Sequence, residues 1–186
     1  MKQIVVILTV LVLPFWVSSC NNEKANPKTD QEKASLKEVI KTNQSNASIE
    51  WLTLNELDKK MAKTPKKVIF LFTKKGCPYC KEMKETTLSD AEIIKLMNDN
   101  YYAVMLDGKS KEPMTFKGVT YVNDHPNPED APWRHNLFSE LVDPFNGGYY
   151  WPSTVVFDEN YNKIRSFPGL QKPAQFKRLL MNFIRQ

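Results

Sequence analysis

Two cysteines three residues apart follow an apolar segment of strand length, and this junction constrains the fold more than any other feature. Residues 68–72 read Val-Ile-Phe-Leu-Phe, an uninterrupted apolar run typical of a strand buried on both faces. The next motif, Gly76-Cys77-Pro78-Tyr79-Cys80, begins a segment that is compatible with a helix as far as Glu85. Helical residues at positions i and i+3 share one face, so Cys77 and Cys80 are close enough to form a disulfide. The sequence therefore predicts a cysteine pair where a buried strand gives way to a helix.

Further helices and strands are indicated by the hydrophobic pattern of residues 51–186. Apolar residues at helical spacing, such as Leu54 and Leu57, favour helices, whereas short apolar runs favour buried strands. Ser89 is predicted to be the N-cap of one helix. The predicted helices span residues 54–63, 77–85, 90–98, 133–142 and 175–185, and the predicted strands span residues 68–72, 101–106, 153–157 and 163–167. This order is typical of an α/β domain.

Composition limits the classes of protein to consider. The chain has 186 residues, of which 41% are hydrophobic and 25% charged, enough apolar surface for one soluble domain and too much for a disordered chain. Three cysteines exclude a disulfide-stapled miniprotein. A formal net charge of +5, dispersed along the chain, does not indicate nucleic-acid binding. Hydrolase and kinase motifs such as G-x-S-x-G or a phosphate-binding loop are not found in the sequence.

The first twenty residues have the order of a secretory signal. Lys2 is positively charged, residues 4–13 are apolar apart from one threonine, and small residues precede Cys20. The motif Val17-Ser18-Ser19-Cys20 resembles the lipobox of bacterial lipoproteins, although an ordinary signal peptide with an incidental cysteine is the alternative. The resemblance implies a signal peptide over residues 1–19 and a lipidated Cys20. It also implies a place in the bacterial cell envelope, anchored to a membrane and facing the periplasm or the exterior.

A polar segment separates this signal from the folded body. Residues 21–48 are rich in Asn, Lys, Glu, Ser, Thr, Gln and Asp, and they contain no aromatic residue. Such a segment cannot bury enough apolar surface to fold alone. We therefore expect residues 20–50 to be a flexible tether and residues 51–186 to be the domain.

Four features together resemble the thioredoxin superfamily. They are the strand–CxxC–helix junction, the motif Trp151-Pro152-Ser153-Thr154 at the start of a later strand, the acidic turn at residues 158–160, and Gly169 before the last helix. Among its members, the chain is similar to secreted bacterial thioredoxin-like proteins and to the periplasmic domains of disulfide-interchange reductases. The resemblance implies a thioredoxin-like fold, a central mixed sheet flanked by helices. It also implies an insertion at about residues 108–132, ahead of the strand that follows a cis proline.

The resemblance also implies roles for individual residues. Pro152 is expected to be cis and to pack beside the cysteine pair, leaving the backbone of Trp151 free to pair with an extended substrate segment. Trp151, Tyr149, Tyr150 and Tyr79 are expected either to form an aromatic platform for that segment or, Tyr79 excepted, to be ordinary core residues. The redox-active disulfide is expected to be the only redox group, with no further cofactor.

The expected chemistry is thiol–disulfide exchange. Cys77 at the helix start is predicted to be the nucleophile, because unpaired N–H groups there stabilise a thiolate, and Cys80 is predicted to be the resolving thiol. Residues 59–84 contain nine lysines and one acid, and Lys74 and Lys75 in particular favour a thiolate at Cys77. These lysines are either solvated ends of helices and strands or a basic rim that steers acidic partners.

Two departures from the thioredoxin pattern leave the direction of exchange open. Leu71 stands six residues before Cys77, where many thioredoxins place a buried acid, and the residues between the cysteines are Pro-Tyr rather than Gly-Pro. A reductase is favoured over an oxidase or isomerase, because the proteins that the chain resembles pass electrons outward. The expected partners are client proteins with disulfides or thiols and an upstream redox donor, for which a membrane-embedded protein is a candidate. The lipid anchor is expected to bind a membrane, and no nucleic-acid partner is expected.

The insertion and two rival functions complete the predictions. Residues 114–122, with Lys117-Gly118 at their centre, are predicted to form a small hairpin, and the insertion is either a specificity element or a surface elaboration. Copper or zinc handling by the CxxC with His125 and His135 is one rival function. A redox-inert partner-binding module on the same scaffold is the other. No dedicated metal site is predicted.

Overall fold

A five-stranded mixed sheet with helices on both faces organises the part of the chain that the computed structural model describes, residues 48–123 and 133–185. The strands are β1 (Trp51–Leu52), β2 (Lys67–Thr73), β3 (Tyr101–Asp107), β4 (Met114–Phe116), β5 (Val119–Tyr121), β6 (Ser153–Phe157) and β7 (Lys163–Pro168). The helices are α1 (Leu54–Lys63), α2 (Pro78–Glu82), α3 (Ala91–Asn100), α4 (Asn136–Leu141) and α5 (Pro173–Ile184), and a π-helical segment, Met83–Thr87, continues α2. The predicted α/β class is confirmed.

The predicted buried strand is the centre of the sheet. The strand order is β1-β3-β2-β6-β7, in which β2 is parallel to β3 and antiparallel to β6. From Val68 to Thr73 every residue of β2 is buried. Its uninterrupted apolar sequence is required because both faces of a central strand are covered by helices.

Two apolar layers cover the two faces of the sheet. One contains Leu71 of β2 with residues of α3 and α5, and we call it the α3–α5 layer. The other contains Phe70 with residues of α1 and α4, and we call it the α1–α4 layer. Met83, one helical turn after Cys80, belongs to the α3–α5 layer. The helix that carries the cysteines is therefore packed on that face of the sheet.

The starts of α3 and α4 differ from their predictions, and α5 begins at Pro173 rather than at residue 175. Ser89 is not an N-cap: its hydroxyl donates to the carbonyl of Glu85 at 2.6 Å, and the Asp90 carboxylate instead accepts from the N–H groups of Glu92 and Ile93. The fourth predicted helix starts at Asn136 rather than at residue 133, because the ring of His135 caps it by accepting from the Leu137 N–H. In both cases the residue directly before the helix supplies the side-chain acceptor that caps it.

The described part of the insertion contains the predicted hairpin. Strands β4 and β5 are joined by Lys117 and Gly118, whose φ angles of 52° and 73° are those of a tight two-residue hairpin turn. Phe116 is 3% exposed in the α1–α4 layer, edge-on to Phe70 with ring centroids 5.1 Å apart. The hairpin therefore contributes a side chain to the core of the domain.

The folded body begins before the predicted boundary at Trp51. Ile49 is buried in the α3–α5 layer, and the Asn98 side chain bonds both the Ser48 carbonyl and the Glu50 N–H at 2.9 Å. The predicted signal peptide, Cys20 and the rest of the predicted tether lie outside the described residues, as does His125. Across residues 48–123 and 133–185, no helix has the length and apolarity needed to cross a membrane.

Candidate active site

Cys77 and Cys80 form a disulfide at the amino end of α2, with their Cα atoms 5.3 Å apart. Cys77 is the N-cap residue, and its Sγ accepts a hydrogen bond from the Cys80 backbone N–H at 3.1 Å. After reduction the same N–H, together with the partial positive charge of the helix start, stabilises a thiolate on Cys77. Both cysteines are buried, but Cys80 lies one turn into the helix, beyond the N-cap position that receives this stabilisation. The two sulfurs therefore have different environments.

A basic cleft adjoins the disulfide. Its volume is about 470 Å³, and it is lined by both cysteines, Gly76, Pro78, four lysines and one glutamate, namely Lys74, Lys75, Lys81, Lys84 and Glu85. Four positive charges against one negative charge make the potential of this cleft positive, which favours a thiolate over a thiol. Lysines of the predicted basic rim thus surround the cysteine pair.

The loop before β6 lies beside this cleft. The Trp151–Pro152 peptide bond is cis, as the resemblance implies, and Pro152 is buried. The Trp151 ring stacks on Phe138 with centroids 4.5 Å apart, and the ammonium of Lys74 lies 5.8 Å from the Trp151 ring centroid. Lys74 therefore links the cleft to the loop that carries Pro152.

Close packing beneath Trp151 explains a glycine at the end of β3. A Cβ placed on Gly108 would lie 2.8 Å from the Phe138 ring and closer still to the Trp151 ring. The Gly108 N–H also donates to the Thr73 carbonyl at 2.9 Å, at the end of the strand that leads to Cys77. The residue without a side chain therefore lets the Trp151 ring approach the backbone closely.

The four aromatic residues considered for a substrate platform separate into two groups. Tyr79 and Tyr150 are 59% and 45% exposed. Tyr149 and Trp151 are half-buried, and both pack against Phe138. The sequence reasoning missed Phe145, which is 51% exposed with its ring centroid 6.1 Å from that of Tyr150. Its position in a turn next to Pro144 was the available signal.

The buried hydroxyl of Thr154 lies beside Leu71. Leu71 is buried, and Thr154 is its partner on β6, so both side chains project from the same face of the sheet. The Thr154 hydroxyl is fully buried and has no hydrogen-bond partner among the described residues. Sequence reasoning missed Thr154; the signal was a polar residue at an inward position of an otherwise apolar strand.

His135 is occupied by structural hydrogen bonds. One ring nitrogen, Nδ1, accepts from the Leu137 N–H, and Nε2 lies 3.1 Å from the Glu112 carbonyl oxygen. Because Nδ1 is an acceptor, Nε2 carries the proton and donates to that carbonyl. Both nitrogens are thus engaged, which removes the support that His135 gave to metal handling. No group of three or more His, Cys, Asp or Glu side chains suited to a metal occurs within the described residues.

The comparisons with known proteins agree with this fold. The thioredoxin-like domain family matches residues 54–184, and the chain belongs to that family. The solved structure of a DsbH oxidoreductase is similar at 13% identity and a TM-score of 0.51, covering 90% of this chain and 95% of that one. A thioredoxin from Thermus thermophilus is similar at 19% identity and a TM-score of 0.50, covering 74% and 88%. No curated protein sequence matches the chain.

Proposed function

We propose that this protein is a thiol–disulfide oxidoreductase that exchanges disulfides with client proteins through Cys77 and Cys80. The observation that carries the proposal is the Cys77–Cys80 disulfide at a helix N-cap in a basic cleft. The cleft adjoins the loop that carries Pro152, and we assign Trp151 and Pro152 to the binding of an extended client segment. Tyr79, exposed between the cysteines, is a further contact for the client in this proposal.

The proposed reaction transfers two electrons and two protons to a client disulfide. The Cys77 thiolate attacks one client sulfur, forming a mixed disulfide and releasing the other client sulfur as a thiolate that takes up a proton. The Cys80 thiol then loses its proton and attacks the Cys77 sulfur. This step re-forms the Cys77–Cys80 disulfide and releases the second client thiol, so the client is reduced and the cysteine pair is oxidised.

The proposed direction is reduction, and the proposed location is the cell envelope. Support for reduction comes from the resemblance to disulfide-interchange reductases, and support for the location comes from the lipobox-like motif ending at Cys20. An upstream dithiol donor must return two electrons to the pair after each cycle. The proposed clients are envelope proteins with disulfides, and the proposed anchor is a lipid on Cys20.

Single-cysteine variants test the exchange itself. We start from the full chain carrying Cys20→Ser, so that Cys77 and Cys80 are its only thiols. Cys77→Ser is expected to abolish reduction of a small disulfide such as hydroxyethyl disulfide, because the Cys80 thiol that remains lies inside the helix, beyond the N-cap position that favours a thiolate. Cys80→Ser is expected to accumulate a mixed disulfide that mass spectrometry detects and dithiothreitol removes. Full activity of the Cys77→Ser variant would contradict the mechanism.

The equilibrium potential of the cysteine pair tests the direction. A potential well below that of the glutathione pool supports a reductase supplied by a separate electron donor. A potential well above that pool would instead indicate an oxidase or isomerase. Cys77→Ser is the matched control, because its remaining thiol cannot form the intramolecular disulfide.

A further inference from the structure

The lysines of the cleft differ from the other lysines of the same sequence segment in what they contact. Lys60 pairs with Glu50, Lys67 pairs with Glu159 at 2.8 Å, and Lys66 donates to two backbone carbonyls at the end of α3. These three therefore have partners within the domain, away from the cysteines. Lys60 and Lys67 thus have a carboxylate partner, and Lys66 has two carbonyl oxygens.

The cleft lysines have little compensation. Lys81 is 3.8 Å from Glu85, with side chains 75% and 62% exposed, which is a loose pair screened by solvent. Lys74 lies over the Trp151 ring, and neither Lys75 nor Lys84 has an ion-pair partner in the described part of the chain. Four of the nine lysines of residues 59–84 therefore lie on the approach to Cys77, while Lys59 and Lys63 are exposed on α1.

This distribution bears on which client segments reach the disulfide. A cleft lined by one sign of charge raises the local concentration of the opposite charge and the rate of encounter. A client cysteine flanked by carboxylates gains this attraction, whereas one flanked by lysines is repelled. The effect depends on the sequence around the client cysteine and not on its disulfide bond.

We propose that the cleft lined by Lys74, Lys75, Lys81 and Lys84 selects client segments in which acidic residues flank the reacting cysteine. The inference rests on the proposed thiol–disulfide exchange and names its substrate class. The partner is an extended acidic peptide segment of a protein. Lys75 and Lys84 are specificity-determining residues in this proposal, and they take no part in bond making.

Three synthetic peptides test this selection on the reduced full chain carrying Cys20→Ser. Each peptide contains one intramolecular disulfide, with the cysteines flanked by glutamate, glutamine or lysine. At low ionic strength we expect the acidic peptide to be reduced about tenfold faster than the neutral one, and the lysine peptide to be reduced more slowly. In about 1 M salt, where screening acts over about 3 Å, the three rates should converge. Equal rates at low salt would overturn the inference.

Charge reversal is expected to speed the reduction of the lysine peptide, a gain in rate that a misfolded variant would not show. The double variant Lys75→Glu and Lys84→Glu is expected to reverse the order, so that the lysine peptide becomes the fastest substrate. The matched control is Lys59→Glu with Lys63→Glu, two exposed positions of α1, whose buried residues pack in the other apolar layer. The control makes the same change in net charge and should keep the original order. A reversed order in the control, or an unchanged order in the cleft variant, would refute selection by the cleft.

Hydroxyethyl disulfide separates the two proposals. It is neutral, so its reduction by the wild-type pair reports exchange without selection. Reduction of this compound with no preference among the peptides overturns the acidic selection and leaves the proposed function in place. No reduction of any disulfide overturns the proposed function and the inference together.

Discussion

Cys77 and Cys80 differ in position by one turn of one helix, and this position separates their chemistry. Cys77 precedes the helix and accepts the Cys80 N–H, an interaction that strengthens when the sulfur is negative. Cys80 lies inside the turn, beyond the N-cap position. The helix start therefore favours Cys77 as the attacking thiolate and as the leaving group of the proposed exchange.

At the residue scale, the buried Thr154 hydroxyl predicts a stabilising substitution. Thr154→Val keeps the shape of the side chain and removes a hydroxyl that is desolvated without a hydrogen-bond partner in the described part of the chain. We expect the free energy of unfolding in urea to rise by about 1 kcal/mol. Thr154→Ser keeps the hydroxyl and loses a methyl group, so it should not be stabilising. A clear loss of stability in Thr154→Val would show that the hydroxyl has a partner in solution.

His135 predicts a pH dependence of stability. Burial lowers the pKa of His135, and the hydrogen bond to the Glu112 carbonyl opposes this effect only in part. The folded state therefore binds the proton less readily than the unfolded state. The resulting stability is complete above the unfolded pKa of about 6.5, and it falls as the pH drops through that value towards the folded pKa.

The measurement is urea unfolding of wild type and His135→Asn at a series of pH values below 7. Asparagine retains an N-cap acceptor for α4 and does not titrate in this range. The difference in unfolding free energy between the two proteins should change with pH in favour of the variant as the solution becomes more acidic. A difference that stays constant would mean that His135 does not titrate differently in the two states.

At the element scale, the β4–β5 hairpin belongs to the core of the domain. Phe116 contacts aromatic rings from β2 and β6 and also the ring of Tyr161, whose centroid lies 5.4 Å away. Phe116→Ala is expected to lower the unfolding free energy by about 3 kcal/mol through lost burial and a cavity. Val119→Ala in the same hairpin is the control, because Val119 is 53% exposed and should cost little. Equal small losses would place the hairpin outside the cooperative fold.

Elements with a strong local pattern were predicted with accurate bounds. The helix at Leu54–Lys63 and the strand at Ser153–Phe157 match their predictions, because apolar spacing and capping residues are properties of short segments. The short strand β1 was missed, since two residues carry no periodicity. The choice of Asp90 over Ser89 as N-cap depends on where the π-helical segment ends, which the sequence pattern does not indicate.

At the scale of the whole molecule, the proposed anchor predicts lipid attachment at one residue. In a bacterial host given a labelled fatty acid, wild type should incorporate the label, and Cys20→Ser should not. Cys77→Ser is the control, because it removes a cysteine outside the lipobox-like motif and should keep the label. Equal labelling of the Cys20→Ser variant would rule out a lipid anchor at that residue.

The sequence by itself determined the α/β class, the strand–CxxC–helix junction, the small hairpin and the basic segment, because each is a local pattern of residue types. The tertiary structure decided which of the nine lysines line the cleft beside the cysteines. It also paired Lys60 with Glu50 and Lys67 with Glu159, away from that cleft. It also decided that Phe116 is a core residue and that Thr154 is a buried hydroxyl without a partner among the described residues. Contacts between distant segments fix these two properties, and no local pattern encodes them. The cap at His135 is local, whereas the contact of its Nε2 with the Glu112 carbonyl is tertiary.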